Sequence, residues 1–408
     1  MILNNHGRGL TSGVLLGALG LAATGIYAPA SFAGATVKID DDKWISIGAG
    51  LRTSYTGTEN GAPNKQNWGN SFNLDNIRLY INAQLASWMK LEFNTDCQTC
   101  NNGGEIRVLD AIAKFEVDPL ANLWMGRMLV PAERREMNGP FYSATYDIFR
   151  LGTPFEPSDY NLTIQESPSS AGSYGRDDGA TFWGAAFDKR FQYAVGVFRG
   201  LRSGANQGSA LLYAQRVAYN ILDVEKNPGY YTSGTYYGKG GDILTLGFSN
   251  QYQTNGAGTQ ADPGDFRGTT FDVLYEQNLP QNAGTLTFNG EYKNYGISGL
   301  GLDSRASDVA GLYLFEGNAY DVSGMYLFPD KVWVGQFQPY LRYVEAMPFN
   351  SSDRNNWEAG LNYIIDGHNA RLSLVYNYTD MLTKGQNYTP TAQGPHVSSV
   401  LLGFQMQI

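Results

Sequence analysis

From Lys43 to Tyr55 the chain alternates: Ile45, Ile47, Ala49, Leu51 and Tyr55 on one face, Trp44, Ser46, Gly48, Gly50, Arg52 and Ser54 on the other. A period of two puts neighbouring residues on opposite faces of a strand, and about a dozen such residues exceed the five or six usual in soluble sheets. The pattern recurs. Ile77, Leu79, Ile81, Ala83 and Leu85 alternate with Arg78, Tyr80, Asn82 and Gln84, and Met89, Leu91 and Phe93 with Lys90, Glu92 and Asn94. The last segment sets Val400, Leu402, Phe404, Met406 and Ile408 against Leu401, Gly403, Gln405 and Gln407. A soluble sandwich also alternates, but its apolar faces close on a core and it rarely sustains so many long strands.

Strands are predicted at 44–56, 73–85, 89–96, 105–117, 121–129, 178–188, 190–200, 210–221, 242–252, 268–279, 283–295, 310–328, 333–346, 354–365, 368–379 and 397–408. Their number is even, as in single-chain bacterial barrels. After the N-terminal region no stretch reaches the about 18 uncharged apolar residues of a membrane-spanning helix. Strands can remain in lipid only if their edges close on each other, since every N–H and C=O must be paired there. The expected fold class is therefore all-β, a transmembrane antiparallel β-barrel of about sixteen strands.

Composition agrees: 49 Gly, 27 Tyr and 20 Phe with only 16% charged residues suit aromatic-rich strands better than helical bundles. Short links fall at Ala86–Trp88, Asp118–Ala121, Asp188-Lys189, Pro280–Asn282, Pro329–Val332 and Asp366-Gly367, with longer polar connections between them. Short turns mark the periplasmic end of such barrels and long loops the outer end. Residues 222–241 break this rule, being Tyr- and Gly-rich, on the short-turn side, and too long for a tight turn. The sequence supplies no physical account of them.

Residues 1–33 read as a secretory leader: Arg8 in a polar start, an apolar run from Val14 to Ala23, then small residues near Ser31-Phe32-Ala33. Cleavage after Ala33 or Ala35 would leave a single barrel domain, 34–408. A membrane anchor would need about 20 apolar residues, and Gly, Thr and Pro interrupt this run.

The formal charge of −9 excludes nucleic acid as partner, because phosphate contacts need clustered Lys and Arg. His6, His368 and His396 offer neither a histidine-rich metal site nor a base beside a nucleophile at a recognisable spacing, so no metal, cofactor or catalytic residue is expected. Cys97 and Cys100 admit a local disulfide or a redox pair. No second pair completes a zinc site, and Asn101 follows where a haem motif needs His. A structural loop disulfide is the preferred reading for an exported chain.

Several stretches together resemble the phosphate-selective porin O and P family. They are FNLDNIRLYINAQL from Phe72 to Leu85, VLDAIAKFEVDPLANLWMGRMLVP from Val108 to Pro131, RDDGATFWG from Arg176 to Gly184, FQPYLRY from Phe337 to Tyr343, and GLNYIIDGHNARLSLVYNY from Gly360 to Tyr378. The resemblance implies a trimeric, sixteen-stranded outer-membrane porin whose third loop folds into the lumen. It would sit among outer-membrane lipid and lipopolysaccharide and pass small hydrophilic solutes and ions, anions such as phosphate among them.

The sequence independently offers a constriction at residues 131–177, a stretch without sustained alternation and far beyond ordinary loop lengths, with a disordered external loop as the alternative. It carries Glu133, Arg134, Arg135 and Glu136. Phosphate selectivity would need a basic surplus in the lumen, yet the faces assign inward Arg52, Arg78, Lys90, Lys114, Arg216, Lys293, Arg342 and Arg371 against Glu92, Asp96, Asp110, Glu116, Asp272, Glu276, Glu291 and Glu358. These sets balance. Cross-strand pairing and solute contact are equally open for each charge, with Arg78, Arg342, Arg371, Arg134 and Arg135 the leading solute-contact candidates. Two other roles compete: a scaffold barrel around a multihaem electron carrier, or a structural or adhesive barrel.

Overall fold

The computed structural model describes residues 34–97, 106–147, 175–226, 230–258, 260–299, 316–349, 351–384 and 393–408. Residues 1–33, where a leader is expected, Cys100 and residues 148–174 of the long loop lie outside the described residues.

Among the described residues there are seventeen strands: β1 (Ala35–Lys38), β2 (Trp44–Thr58), β3 (Gly69–Ala86), β4 (Met89–Cys97), β5 (Arg107–Asp118), β6 (Ala121–Leu129), β7 (Arg176–Ala186), β8 (Phe191–Phe198) and β9 (Leu212–Asn220). Then follow β10 (Ile243–Gly258), β11 (Pro263–Asn278), β12 (Thr285–Ser298), β13 (Gly317–Leu327), β14 (Gln336–Pro348), β15 (Arg354–Asp366), β16 (Ala370–Thr379) and β17 (Val397–Gln407). From β2 to β17 each strand pairs antiparallel with the next, and β17 returns to β2 from Ser399 opposite Thr58 to Gln407 opposite Gly50. The ring is closed, with sixteen strands and no unpaired barrel edge.

Each of the sixteen predicted segments corresponds to one barrel strand. The described part of β13 begins at Gly317, and residues 310–315 of its predicted range lie outside the described residues. Two differences are physical. The unpredicted β1 is a four-residue strand that pairs with Trp44–Ile47 of β2, just past the point where β17 ends with Ile408 bonded to Ala49. Strand β7 starts at Arg176, inside the span read as loop, because Arg176 and Asp177 are already in register with Leu129 and Met128.

The alternation sorts side chains as expected. Outward Ile47, Leu246, Leu374, Leu402 and Met406 are about half exposed, while inward Arg52, Glu92, Asp96, Asp272 and Glu358 are buried. An apolar exterior facing lipid and a charged interior is the polarity of a membrane barrel, inverted from that of a soluble one.

Candidate functional site: a lumen crossed by two segments

The first inward segment follows β6. Pro131 to Asp147 turns down into the barrel and includes a short helix, α1 (Arg134–Tyr142), interrupted at Gly139, whose φ of 62° lies in the left-handed region that glycine adopts without strain. Wall side chains hold this segment by its carbonyls. Arg216 donates to the Ala132 oxygen (2.8 Å), Gln251 to Pro131 (3.1 Å) and Gln405 to Phe141 (2.9 Å). Arg371 donates to the carbonyls of Ser143 (2.7 Å), Ala144 (3.3 Å) and Thr145 (3.0 Å). Because these contacts come from β9, β10, β16 and β17, the segment crosses the lumen.

The second segment is residues 222–241, entering from the short-turn end between β9 and β10. Its neck keeps strand register, Asp223 N–H donating to the Asp242 oxygen at 2.8 Å. Beyond the neck, Tyr230 and Tyr231 pack on Trp124 of β6, each ring centroid 5.5 Å away. Tyr230 donates its hydroxyl to the Leu129 oxygen (2.9 Å). On the other side Thr235 Oγ1 (2.6 Å), Tyr236 N–H (3.1 Å) and Gly238 N–H (2.8 Å) donate to Glu276 of β11. His368, in the turn before β16, meets the Thr235 oxygen through Nε2 at 2.9 Å.

The two segments meet at Arg134. Its guanidinium forms a two-pronged pair with Glu225 (2.6 and 2.7 Å) and donates to the Ser233 oxygen (3.0 Å). Thr232 Oγ1 donates to the Arg134 oxygen (2.7 Å), Thr232 N–H to Met137 (3.2 Å) and Gly234 N–H to Tyr142 (2.9 Å). Burial by itself would raise the Glu225 carboxyl, but the Arg134 guanidinium holds it down at about 2. Burial, with the Glu133 carboxylate nearby, pushes Glu136 well above the usual carboxylate range. Burial, reinforced by Arg371, drops the His368 imidazole to about 3.

The sequence-predicted residues that are described lie at or inside the wall. Arg78 pairs with Asp96 (2.9 Å) and lies 5.0 Å from the Phe141 ring centroid. Arg52 bonds Asn76 (2.8 Å) and the Tyr146 carbonyl. Lys114 pairs with Glu92 and sits 4.0 Å from the Trp124 ring centroid. Arg216 pairs with Asp272, Glu133 with Lys293 (2.5 Å), and the Gly175 N–H donates to Glu136. Arg135 and Arg342 both reach Asp321 of β13, and Arg342 also lies 3.3 Å from Glu358. Cys97 is disulfide-bonded. His396 bonds Asn355 (2.8 Å) and stacks on Tyr378.

Sequence reasoning missed Asp321, Glu225 and the tyrosines of 222–241. Asp321 alternates inward but lies in a segment whose faces were not assigned. The second segment's signal was present, since a turn too long and too aromatic for the solvent must bury its rings somewhere, and the lumen is the nearest place.

Between α1 and the wall of β12, β13 and β14 a cavity of about 30 Å³ remains, bordered by Arg135, Asn138, Asn289, Glu291, Ser323 and Arg342 among others. That is room for one or two waters.

A closed sixteen-stranded barrel, apolar outside and charged within, with its lumen narrowed by an inward loop segment, is a transmembrane β-barrel of the porin type. No protein-family model matches the chain, and no curated protein does. Solved structures do. An anion-selective porin from Comamonas acidovorans aligns at a TM-score of 0.56 and 12% identity, over 90% of this chain and 100% of that one. OmpT of Vibrio cholerae aligns at 0.52 and 13%, over 92% and 100%, and the outer-membrane channel DcaP of Acinetobacter baumannii at 0.52 and 10%, over 92% and 100%. The chain has the fold of outer-membrane porins.

Proposed function

We propose that the protein is an outer-membrane porin through which small hydrophilic solutes and ions diffuse. The observation that carries this reading is the lumen itself: charged and amide side chains line it, and polar groups of both signs border the one cavity described beside α1. Arg135 from α1 and Glu291, Asp321 and Arg342 from the wall border the cavity, and Glu133, Arg134 and Glu136 lie at the start of the α1 segment. Arg52, Arg78, Lys114, Arg216 and Arg371 hold the inward segments in place and set the field around them.

Acids face bases throughout, so weak ion selectivity follows, with no basic ladder for phosphate. The protein works as a homotrimer among outer-membrane lipid and lipopolysaccharide, without catalysis or cofactor. A scaffold for a haem partner is disfavoured, because the chain's own two segments occupy the space such a partner would need.

Single-channel recording of the folded, detergent-solubilised protein in a planar bilayer tests this, with the reversal potential across a KCl gradient. Stepwise currents and a reversal potential near zero are expected. Silence from folded protein would overturn the porin reading, and a strongly positive or negative potential would overturn the balanced-charge reading.

A further inference from the structure

We propose that the described residues of the β9–β10 connection, 222–226 and 230–241, form a second constriction, built from the periplasmic end, and that they together with α1 set the size of solute that passes. The inference rests on the channel reading above and names the element that limits it.

Four observations support it. A turn at this end needs only two residues to join paired antiparallel strands, and the register of β9 with β10 runs on unbroken to Asp223 and Asp242. The additional residues are therefore not required to build the barrel. They also do not lie on its rim: Tyr230 is 4% exposed and Thr235 0%. Their anchors lie on widely separated parts of the wall, Leu129 of β6 and Asp110 of β5 on one side, Glu276 of β11 and Asn289 of β12 on the other. A segment tied at such points spans the lumen.

Finally, the contact with α1 is close. A Cβ built on Gly234 would come within 2.6 Å of the Ala144 nitrogen, and Gly234 itself borders the cavity between α1 and the wall. The cavity beside α1 is thus bounded by both segments, and removing either one should open it.

The solute class follows from the same residues. Where the segments meet, Arg134 is matched by Glu225, and around the cavity Arg135 and Arg342 are matched by Glu291 and Asp321. Amide and hydroxyl groups of Asn138, Asn289 and Ser323 complete the lining. Such a lining favours neither sign of charge, so discrimination among small hydrophilic solutes is by size and not by charge.

The test replaces residues 224–241 with Asn-Gly, closing Asp223 to Asp242 as a two-residue hairpin in the existing register. A second variant, Tyr230→Ala with Tyr231→Ala, leaves the chain length intact and removes the packing on Trp124. Barrel folding is checked by the heat-dependent shift on gels. Single-channel conductance and liposome swelling with neutral sugars of increasing size are then compared with wild type.

In the hairpin variant conductance should at least double and the sugar cut-off rise. The double-alanine variant should show the same direction to a smaller extent, and it alone decides if the hairpin variant does not fold. Unchanged conductance and cut-off in folded variants, beside a conducting wild type, would overturn this inference and leave the porin reading standing. Silence from both would overturn the porin reading and this inference with it.

Discussion

Replacing Glu225 by Gln keeps the side-chain shape and removes one charge from a pair in which both members are almost fully buried. The Arg134 guanidinium then loses its two-pronged partner but keeps the Ser233 carbonyl at 3.0 Å and Asp272 at 3.5 Å. Breaking a buried pair from one side costs about 3 to 5 kcal/mol, and the remaining partners argue for the lower end. At about 1.4 kcal/mol per tenfold, 3 kcal/mol weakens docking of the second segment on α1 by about 150-fold. Long single-channel recordings should show this as transitions to a larger conductance level, about a hundred times more frequent than in wild type. The barrel, which closes through the backbone pairing of its strands, should keep its wild-type resistance to unfolding in gels. The reasoning fails if Glu225→Gln leaves both the conductance level and the transition frequency unchanged while the protein remains folded.

Acid should act in the same direction. Glu225 titrates at about 2 when docked against an ordinary value of 4.5, so its contribution is complete above 4.5 and is lost as pH falls toward 2. His368, faced by Tyr237, Tyr142, Arg371 and Lys239, is held neutral at about 3 against 6.5; docking then weakens as pH falls from 6.5 toward 3, by about 3 kcal/mol at pH 4.5. Larger openings below pH 5, reversed on return to pH 7, are the expected recording, and flat conductance from pH 7 to 4 would contradict it. Gly234→Val should wedge the two segments apart and raise transition frequency, since even a single Cβ has no room there; a crystal structure of the variant with the contact intact would refute this. Arg371→Ala should loosen residues 143–145, since the Ser143 and Thr145 carbonyls lose the Arg371 donor while Ala144 keeps Asn362, and proteolysis within the α1 segment should speed up by at least tenfold. Reduction with a thiol should leave conductance within about a fifth of its starting value, because Cys97 lies at the end of β4, where its register with Ile77 of β3 holds the strand in place; a larger change would place the disulfide in the pore.

The period of two was legible at once because in this environment it has one cause, lipid outside and polar groups within. It gave the sixteen strands and placed Arg52, Arg78, Lys114, Arg216, Arg342 and Arg371 on the inner face. Which of those charges pair was not legible. A sequence shows that Arg216 and Asp272 share a face, but it takes the stagger of β9, β10 and β11 to bring them together across a strand.

What the sequence by itself determined is therefore the barrel: strand number, inward and outward faces, and the presence of a long segment at 131–177 that departs from alternation. Only the tertiary structure decided the lumen. The path of Pro131–Asp147, the inward course of 222–241 and the Arg134–Glu225 pair depend on groups 91 residues apart in the chain. Local patterning reports a residue's own surroundings along one strand; which segments fill a closed space depends on the shape left when all the strands have met.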